Sequence, residues 1–461
     1  MRIANRVRVS VHAAAVAVLA FAAAVTGITL PARADDDGGI ALVRDTETER
    51  LLRSWLDPIL RVAGIEPKAV HLYLVNDPSI NAFVAEGQNI FINTGTLMQL
   101  DEPNEIIGIM AHETGHMAGG HLIRTDKGVR AAIIPMLLSM AAGVAVMAAG
   151  GGDAGAAIIM GGQQVAQREM MAFTRIQEAS ADQAGMRFLT ATHQSGEGML
   201  KVFQRFEDEY VLTDQHIDKF ALSHPAPRDR IDALQALVEA SPYRDAKDSP
   251  QAIYALSMVR AKVRGYVQNP GEVLNEYPET DTSKAARYAR AMAYFRMPDM
   301  DKAIAEAQSL VNDEPNNPYF LELLGQLQVA RGHVVEGIEP YRKAVHLLPD
   351  APQIRVALAA AMLGSEDPKL NAQAEVELKT VLQQDNEDGF AWYELAEAYS
   401  RQGQEGKAQL ATAERYFALA DYPQAQRFAY FAQQKLMRGS TDWQRASDIL
   451  LVAQSQQPER R

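Results

Sequence analysis

The 461-residue sequence contains no cysteine. Disulfide bonds and thiolate metal ligands are therefore excluded, so any bound metal must be held by histidine and carboxylate side chains. Positive charge is also scarce, because 45 lysine and arginine residues face 58 aspartate and glutamate residues and leave a formal net charge of -13. This balance argues against a nucleic-acid-binding protein, since phosphate backbones require clustered positive charge.

Acidic residues are missing from the N-terminal segment, where three arginines precede an apolar run over 9–30. The small-residue stretch Ala32-Arg33-Ala34 follows this run and suits a cleavage site. The order predicts a cleaved export signal at 1–34. An uncleaved membrane anchor is the alternative, because the apolar run is long enough for one. Export without cysteine favours the bacterial periplasm over an extracellular location.

Ionisable residues are almost absent from 131–167, which contains Asp153 alone. Three interpretations compete: a buried helical hairpin that turns at 150–153, a hairpin that rests on a membrane, and a membrane-spanning helix. The first half barely reaches the ~20 apolar residues that a span requires, and the second half is rich in glycine. The sequence therefore fits the first two interpretations better than the third.

The length of the chain predicts more than one domain, because single cores stop growing near ~250–300 residues. A polar linker over about 240–250 separates a first domain, 35–245, from a second, 250–461. In the first domain, periodicity predicts a helix over 43–63, which Pro58 can kink, and strands at 71–75 and 89–93. A third strand is expected at 81–84. A small sheet of this kind offers an edge to which an extended peptide can add.

The second domain is helical by pattern and shows a period near 34 residues. The tetratricopeptide pattern is present in Trp392, Leu395, Ala396 and Tyr399. Small residues recur at intervals of 34, 37 and 34, at Ala303, Gly337, Ala374 and Ala408. Such spacing is expected where paired helices approach closely once in each repeat. We predict a mainly α protein with a small β-sheet, in which an α+β domain precedes an all-α repeat solenoid; a generic helical bundle is the alternative.

The motif His112-Glu113-Thr114-Gly115-His116 is typical of a zinc-binding hydrolase site. It falls on a helix predicted to begin at Asp101, followed by Pro103, and to end at 119–120. Residues four apart share one helix face, so His112 and His116 can bind one zinc ion while Glu113 binds the attacking water as general base.

A catalytic zinc requires a third protein ligand. His121 is unsuited to this role, because the downstream histidine of the extended motif would stand at position 122, which holds leucine. Glu178 is a better candidate, and with Asp182 it forms a pair four residues apart on a helix predicted over 165–189. From spacing alone, however, this pair can also be a solvated surface.

The motif at 112–116, followed about sixty residues later by Glu178, Asp182 and Gly185, resembles the gluzincin family of CAAX-prenyl and HtpX-type peptidases over roughly 40–235. With an export signal before it and repeats after it, the whole chain resembles the BepA-type periplasmic metalloproteases. The resemblance implies one zinc ion bound by His112, His116 and Glu178, with Glu113 as catalytic base. It also implies that Asp182 hydrogen-bonds a ligand histidine or takes part in proton transfer.

His224 precedes Pro225 in a segment that resembles the family's His-Pro sequence after the catalytic core. This histidine can act as a regulatory fourth zinc ligand that displaces the water, bind substrate, or cap the next helix.

The resemblance implies an exported endopeptidase that degrades misfolded or stalled outer-membrane proteins and assists their assembly. It also implies that the repeats dock on the outer-membrane assembly machinery. The apolar composition of 131–167 adds peripheral membrane contact as one of the interpretations given above. A periplasmic chaperone or scaffold with a latent or structural zinc site is the alternative.

Overall fold

The computed structural model describes residues 41–85, 88–121, 139–140, 142, 152–212, 224, 227–365 and 367–456. The predicted export signal at 1–34 lies outside these residues, and so does most of the predicted hairpin's first half. The chain divides into two compact units, with the boundary between Val263 and Arg264. Of the helices within the described ranges, none has both the length and the hydropathy needed to cross a membrane.

The first unit combines a small sheet with helices. Its strands are β1 (Leu42–Val43), β2 (His71–Val75), β3 (Ala82–Ala85) and β4 (Asn89–Asn93). Its helices are α1 (Thr46–Val62), α2 (Thr94–Gln99), α3 (Pro103–Gly119), α4 (Gly152–Ala191), α5 (Glu197–Leu212), α6 (Arg228–Glu239) and α7 (Pro250–Val267), the last of which crosses the unit boundary. A short 3-10 helix, Pro67–Ala69, precedes β2. Helix α1 remains one element although it contains Pro58.

The sheet has the order β1-β2-β4-β3. Strands β2 and β4 are parallel, whereas β3 runs antiparallel to β4 with Phe83 opposite Phe91. Alternation along these strands buries Ile90 and Ile92 on one face. Strands β2 and β4 occupy the predicted positions, and β3 lies one residue later than predicted. Because β3 is the last strand in this order, its outer edge is not paired by another strand within the described residues.

Helix α3 begins one residue later than the sequence suggested. The predicted cap Asp101 is wrong, because Glu102 caps the helix and forms a capping box with Glu105. The carboxylate of Glu105 accepts hydrogen bonds from the backbone N–H groups of Asp101 and Glu102. These two donors, just before the helix, therefore have a hydrogen-bond partner. The predicted end is confirmed: Gly120 terminates the helix with a left-handed φ of 61°, which glycine adopts without strain.

Two glycines allow α3 and α4 to approach closely. A Cβ atom at Gly115 would lie 2.6 Å from the carbonyl oxygen of Ala181, and one at Gly185 would lie 3.3 Å from the backbone of Ala111. Side chains at these points would therefore push the two helices apart. Helix α4 is longer than predicted, and the close approach places its C-terminal turns against the motif of α3.

The first unit extends to Val263 for a physical reason. Lys262 of α7 is buried and lies 2.5 Å from Asp45, the N-cap of α1, and 3.3 Å from Glu47. A buried ammonium needs such partners, so this part of α7 is held to the first unit. The predicted polar linker lies before this helix, in the irregular stretch 241–249.

The second unit is an array of helices in which, from Pro270–Glu276 onward, each helix packs on the next one in the chain. Beyond α7 its helices are α8 (Pro270–Glu276), α9 (Lys284–Arg296), α10 (Met300–Asp313), α11 (Pro318–Ala330), α12 (Val334–Leu347), α13 (Pro352–Gly364), α14 (Pro368–Gln384), α15 (Gly389–Arg401), α16 (Glu405–Ala418), α17 (Tyr422–Lys435) and α18 (Thr441–Ser455). The predicted fold class, a mainly α chain with a small sheet and a repeat solenoid, is confirmed.

The recurring small residues lie where helix pairs meet. Ala303 and Ala374 are fully buried, and a Cβ atom at Gly337 would lie 2.8 Å from the carbonyl oxygen of Gly325 on the preceding helix. The predicted close approach within each repeat is therefore present in the structure.

Glu394 of α15 is a buried carboxyl group in this array. Burial raises its pKa to about 7, with a further contribution from the nearby Glu397 carboxylate. The unfolded chain ionises this group near the ordinary value of 4.5, so the folded state binds more protons between the two values. Stability should therefore fall as the pH rises through this window, by about 3 kcal/mol in total.

We expect Glu394→Gln to remove this dependence, so that the variant unfolds at a higher temperature than the wild type near pH 8 and at a similar temperature near pH 5. Calorimetric melting curves at both pH values measure the effect. Glu387→Gln is the control, because Glu387 is exposed. An equal response of the two variants would contradict the assignment.

Candidate metal centre

Helix α3 presents two imidazoles to one point. The Nε2 atoms of His112 and His116 lie 3.0 Å apart, and both rings are buried. The Nδ1 atom of His112 lies 3.0 Å from the carboxylate of Asp182. A proton on this Nδ1 can be donated to Asp182, which leaves the Nε2 lone pair free to face His116. This is the tautomer that a metal ligand requires.

Helix α4 supplies a carboxylate to the same point. The two oxygens of Glu178 lie 3.3 Å from His112 Nε2 and 3.4 Å from His116 Nε2. Glu178 and Asp182 are both buried, so the interpretation of this pair as a solvated surface is wrong. The tight α3–α4 contact at Gly115 holds the carboxylate against the histidines.

His224 completes a set of four donors. Its Nδ1 atom lies 3.1 Å from Glu178 Oε1 and 3.3 Å from His112 Nε2. One donor atom from each of His112, His116, Glu178 and His224 lies within 4.8 Å of all the others. Zinc bonds of about 2.0–2.2 Å in a tetrahedron separate ligand atoms by roughly 3.3 Å, which agrees with the contacts between these donors. The residues therefore fit a tetrahedral metal ion.

Glu113 lies beside this set. Its Oε1 atom is 3.4 Å from His224 Nε2 and is a buried oxygen without a hydrogen-bond partner among the described residues. The carboxylate also accepts a hydrogen bond from the backbone N–H of Val84 on β3. Burial raises the pKa of Glu113 to about 6, although the nearby His116 and His112 oppose this rise. A carboxylate with such a pKa is suited to exchange protons near neutral pH.

Burial and hydrogen bonding also tune the ligand residues. Burial alone would lower the pKa of His112, but hydrogen bonds with Asp182 and Glu178 outweigh this effect and raise it to about 9. Burial would raise the pKa of Glu178, yet its hydrogen bonds with three histidines hold it well below the usual range. Two ionised carboxylates thus draw positive charge to the point between the ligands, as a cation requires.

Arg230 of α6 lies behind the donor set and contacts two carboxylate residues, Asp182 and Glu178. Its guanidinium donates to both oxygens of Asp182 at 2.5 and 2.8 Å, and its Nη1 atom lies 2.9 Å from Glu178. It also lies 4.7 Å from the centre of the Phe203 ring, which is perpendicular to the His112 ring at 5.4 Å between the ring centres. The sequence alone does not indicate this role for Arg230, because nothing in its local pattern shows that the residue is buried.

His121 lies behind the ligands. Its Nδ1 atom is 3.0 Å from Nδ1 of His116, so it can orient that ring from the side opposite the donor set. A Cβ atom at Gly119 would lie 2.3 Å from the His121 ring, and glycine is therefore needed there to leave room for it. The six residues singled out from the sequence thus meet in one buried cluster, with His121 and Arg230 supporting it.

Comparison with known proteins agrees with this geometry. Residues 46–238 match the sequence model of peptidase family M48. The beta-barrel assembly-enhancing protease of Escherichia coli strain K12 is 23% identical over 411 residues, which cover 87% of this chain and 82% of that protein. The Yersinia pestis protein of the same name is 25% identical over 306 residues, which cover 65% and 62%.

Among solved structures, a tetratricopeptide repeat protein from Parabacteroides merdae aligns at 13% identity with a TM-score of 0.29, over 55% of this chain and 99% of that chain.

The donor set and the family match lead to one conclusion. This chain is a metallopeptidase whose residues 46–238 form a peptidase family M48 domain, and it is homologous over most of its length to beta-barrel assembly-enhancing proteases.

Proposed function

We propose that this chain is a zinc-dependent endopeptidase of the bacterial periplasm that degrades misfolded or stalled outer-membrane proteins and assists their assembly. The observation that carries the proposal is the buried set of His112, His116 and Glu178 with Glu113 beside it. The substrate class rests on the relatives' name, beta-barrel assembly-enhancing protease. We further propose that the repeats dock on the assembly machinery and that 131–167 contacts the membrane peripherally.

His112, His116 and Glu178 would hold the zinc ion, which when bound polarises the scissile carbonyl and makes water acidic enough to be deprotonated. Glu113 would accept that proton on its carboxylate and return it to the leaving amine. Asp182 is better suited to orient His112 than to transfer a proton. Arg230 donates two hydrogen bonds to it and so keeps it ionised as a carboxylate.

The free edge of β3 is a suitable place for substrate. Asn81 accepts a hydrogen bond from Asn93, so by alternation the backbone groups of Val84 point away from β4. The N–H of Val84 already reaches Glu113. An extended peptide that pairs with this edge would therefore pass beside the catalytic base. Such a mode requires an unfolded segment, in keeping with misfolded substrates.

The proposal is tested by measuring bound zinc and casein cleavage side by side in the mature wild type and in Glu113→Gln. A zinc-loaded variant that still cleaves casein at the wild-type rate would contradict it.

The position of His224 in the donor set supports a second candidate function, that of a chaperone or scaffold. With all four donors around one ion no position is left for water, so the centre would be latent and the chain would act as a chaperone or scaffold. Of the three roles considered for His224, the donor geometry favours the inhibitory ligand over substrate binding and helix capping.

We expect His224→Ala to raise basal casein cleavage, because the remaining ligands still hold zinc and the fourth position opens. If the closed arrangement occupies about nine molecules in ten, the increase is about tenfold. Initial rates at equal zinc content measure it. His333→Ala, which alters an exposed histidine of the repeats, serves as the control. A rate that falls or stays unchanged would exclude the inhibitory role.

A further inference from the structure

A row of alternating rings and guanidinium groups crosses helices α15, α16 and α17. We call Tyr393, Arg415, Tyr416, Phe428 and Arg427 the ring–arginine row. Arg415 lies 4.9 Å from the centre of the Tyr393 ring and 5.6 Å from that of Tyr416. The rings of Tyr416 and Phe428 stack at 5.4 Å, and Arg427 lies 5.8 Å from Phe428. The five side chains are thus continuous across three helices.

The two arginines of this row differ from most of the other arginines of the repeat unit. Many of those pair with carboxylates, as Arg287 does with Asp313, Arg290 with Glu306, Arg355 with Glu377, and Arg401 with Glu397. Within the described part of the chain, Arg415 and Arg427 form neither an ion pair nor a side-chain hydrogen bond. The chain as a whole has a net charge of -13, so these two cations without a carboxylate partner belong to an acidic protein.

Three carboxylates on these helices have partners other than Arg415 and Arg427. Glu414 binds Arg445 at 2.6 Å, and Glu405 pairs with Lys435. Asp421 caps α17 by accepting a hydrogen bond from the backbone of Gln424. The guanidinium N–H groups of Arg415 and Arg427 therefore remain available to a binding partner.

Stacking on rings prepares these guanidinium groups for recognition. A guanidinium that lies over an aromatic face keeps its N–H donors free in its own plane, and they match the two oxygens of a carboxylate. Tyr393 is 40% exposed, and Phe431, whose ring lies 5.7 Å from Arg427, is 39% exposed. The surface therefore offers carboxylate-binding forks next to accessible apolar rings.

We propose that the ring–arginine row binds an extended segment of a partner protein in which acidic side chains stand next to aromatic or aliphatic ones. The inference rests on the proposed docking role of the repeats and names the chemistry of the partner. A nucleic acid would also stack on rings and bind arginines, but its affinity requires many cations along the phosphate backbone. Two cations within an acidic chain fit a peptide carboxylate better.

The test uses the full mature chain carrying Glu113→Gln, so that a peptide probe is not cleaved. The probe is a fluorescein-labelled peptide in which Asp and Glu alternate with Phe and Leu, and fluorescence anisotropy gives its Kd. A second peptide replaces each acid by its amide, and a single-stranded oligonucleotide of equal charge is the third probe. In this background, Arg415→Gln, Arg427→Gln and the double variant are compared with Arg438→Gln, which removes an exposed arginine outside the row.

We expect each single substitution in the row to weaken binding of the acidic peptide about tenfold, because each removes a charge-assisted hydrogen-bonding group. Arg438→Gln should leave the Kd unchanged, and added salt should weaken wild-type binding. Arg415→Lys keeps the charge but loses the planar fork, so we expect an intermediate Kd, with melting temperatures confirming that each variant is folded.

The proposal is overturned if the amide peptide binds as tightly as the acidic one, if neither peptide binds, if the oligonucleotide binds more tightly, or if Arg438→Gln weakens binding as much as the row variants. These outcomes are separate from failure of the peptidase proposal, which would appear as wild-type casein cleavage by Glu113→Gln with the row intact.

Discussion

Glu113→Gln is expected to lower the rate of casein cleavage about a thousandfold while one zinc ion per chain remains bound. The amide has nearly the same shape as the carboxylate and can still accept the hydrogen bond from Val84. It cannot accept a proton, and general base catalysis contributes roughly two to four orders of magnitude. Metal content by plasma emission spectrometry and initial cleavage rates measure the two effects separately.

Glu178→Gln is the matched comparison, because it makes the same chemical change at a residue of the donor set. Removing the negative charge of a ligand carboxylate weakens metal binding, so this variant should lose both zinc and activity. A loss of zinc from Glu113→Gln would show that Glu113 is a ligand. Full activity with bound zinc would leave the chaperone or scaffold as the better interpretation.

Arg230→Ala is expected to have the second largest effect, on stability and on metal affinity together. Arg230 is buried and faces both Asp182 and Glu178. Its removal leaves two buried carboxylates without their common partner, which costs about 3–5 kcal/mol in the free energy of unfolding. Asp182 then holds His112 less firmly, and the loss of such outer contacts weakens metal binding about 10- to 100-fold.

Chemical denaturation gives the stability of the variant, and competition with a chelator gives its zinc Kd. Arg228→Ala is the control, because Arg228 lies on the same helix with a side chain that is 85% exposed. Arg230→Lys should recover little, since an ammonium cannot bind both oxygens of Asp182 as the guanidinium does. An unchanged zinc Kd in a folded Arg230→Ala protein would show that the residue is only structural.

The part of the site that lies within one helical turn could be predicted from the sequence. His112, Glu113 and His116 share one helical turn, so their relative positions follow from helix geometry once the helix is identified. Strands β2 and β4 were also predictable, since alternating apolar and β-branched residues are flanked by turn residues. The cap of α3 was misplaced by one residue because Asp is a preferred N-cap residue and Glu is not, whereas the capping box with Glu105 places Glu102 at this position.

Spacing alone left Glu178 and Asp182 undecided between a solvated surface and a site. A pair of acids four apart looks the same in either environment, and only the packing of α4 on α3 at Gly115 buries it. The position of His224 likewise depends on packing, since 46 positions along the chain separate it from Glu178, with which its Nδ1 lies in contact.

The sequence by itself thus determined the metallopeptidase motif, the helical class and the repeats, because each depends on residue types at short and regular intervals. The tertiary structure decided that Arg230 is a buried support, that Val84 joins the β3 edge to Glu113, and that Arg415 and Arg427 share one row with aromatic rings. These depend on which helix faces meet. Burial and long-range contact come from the packing of the whole unit, and no short stretch of sequence encodes them.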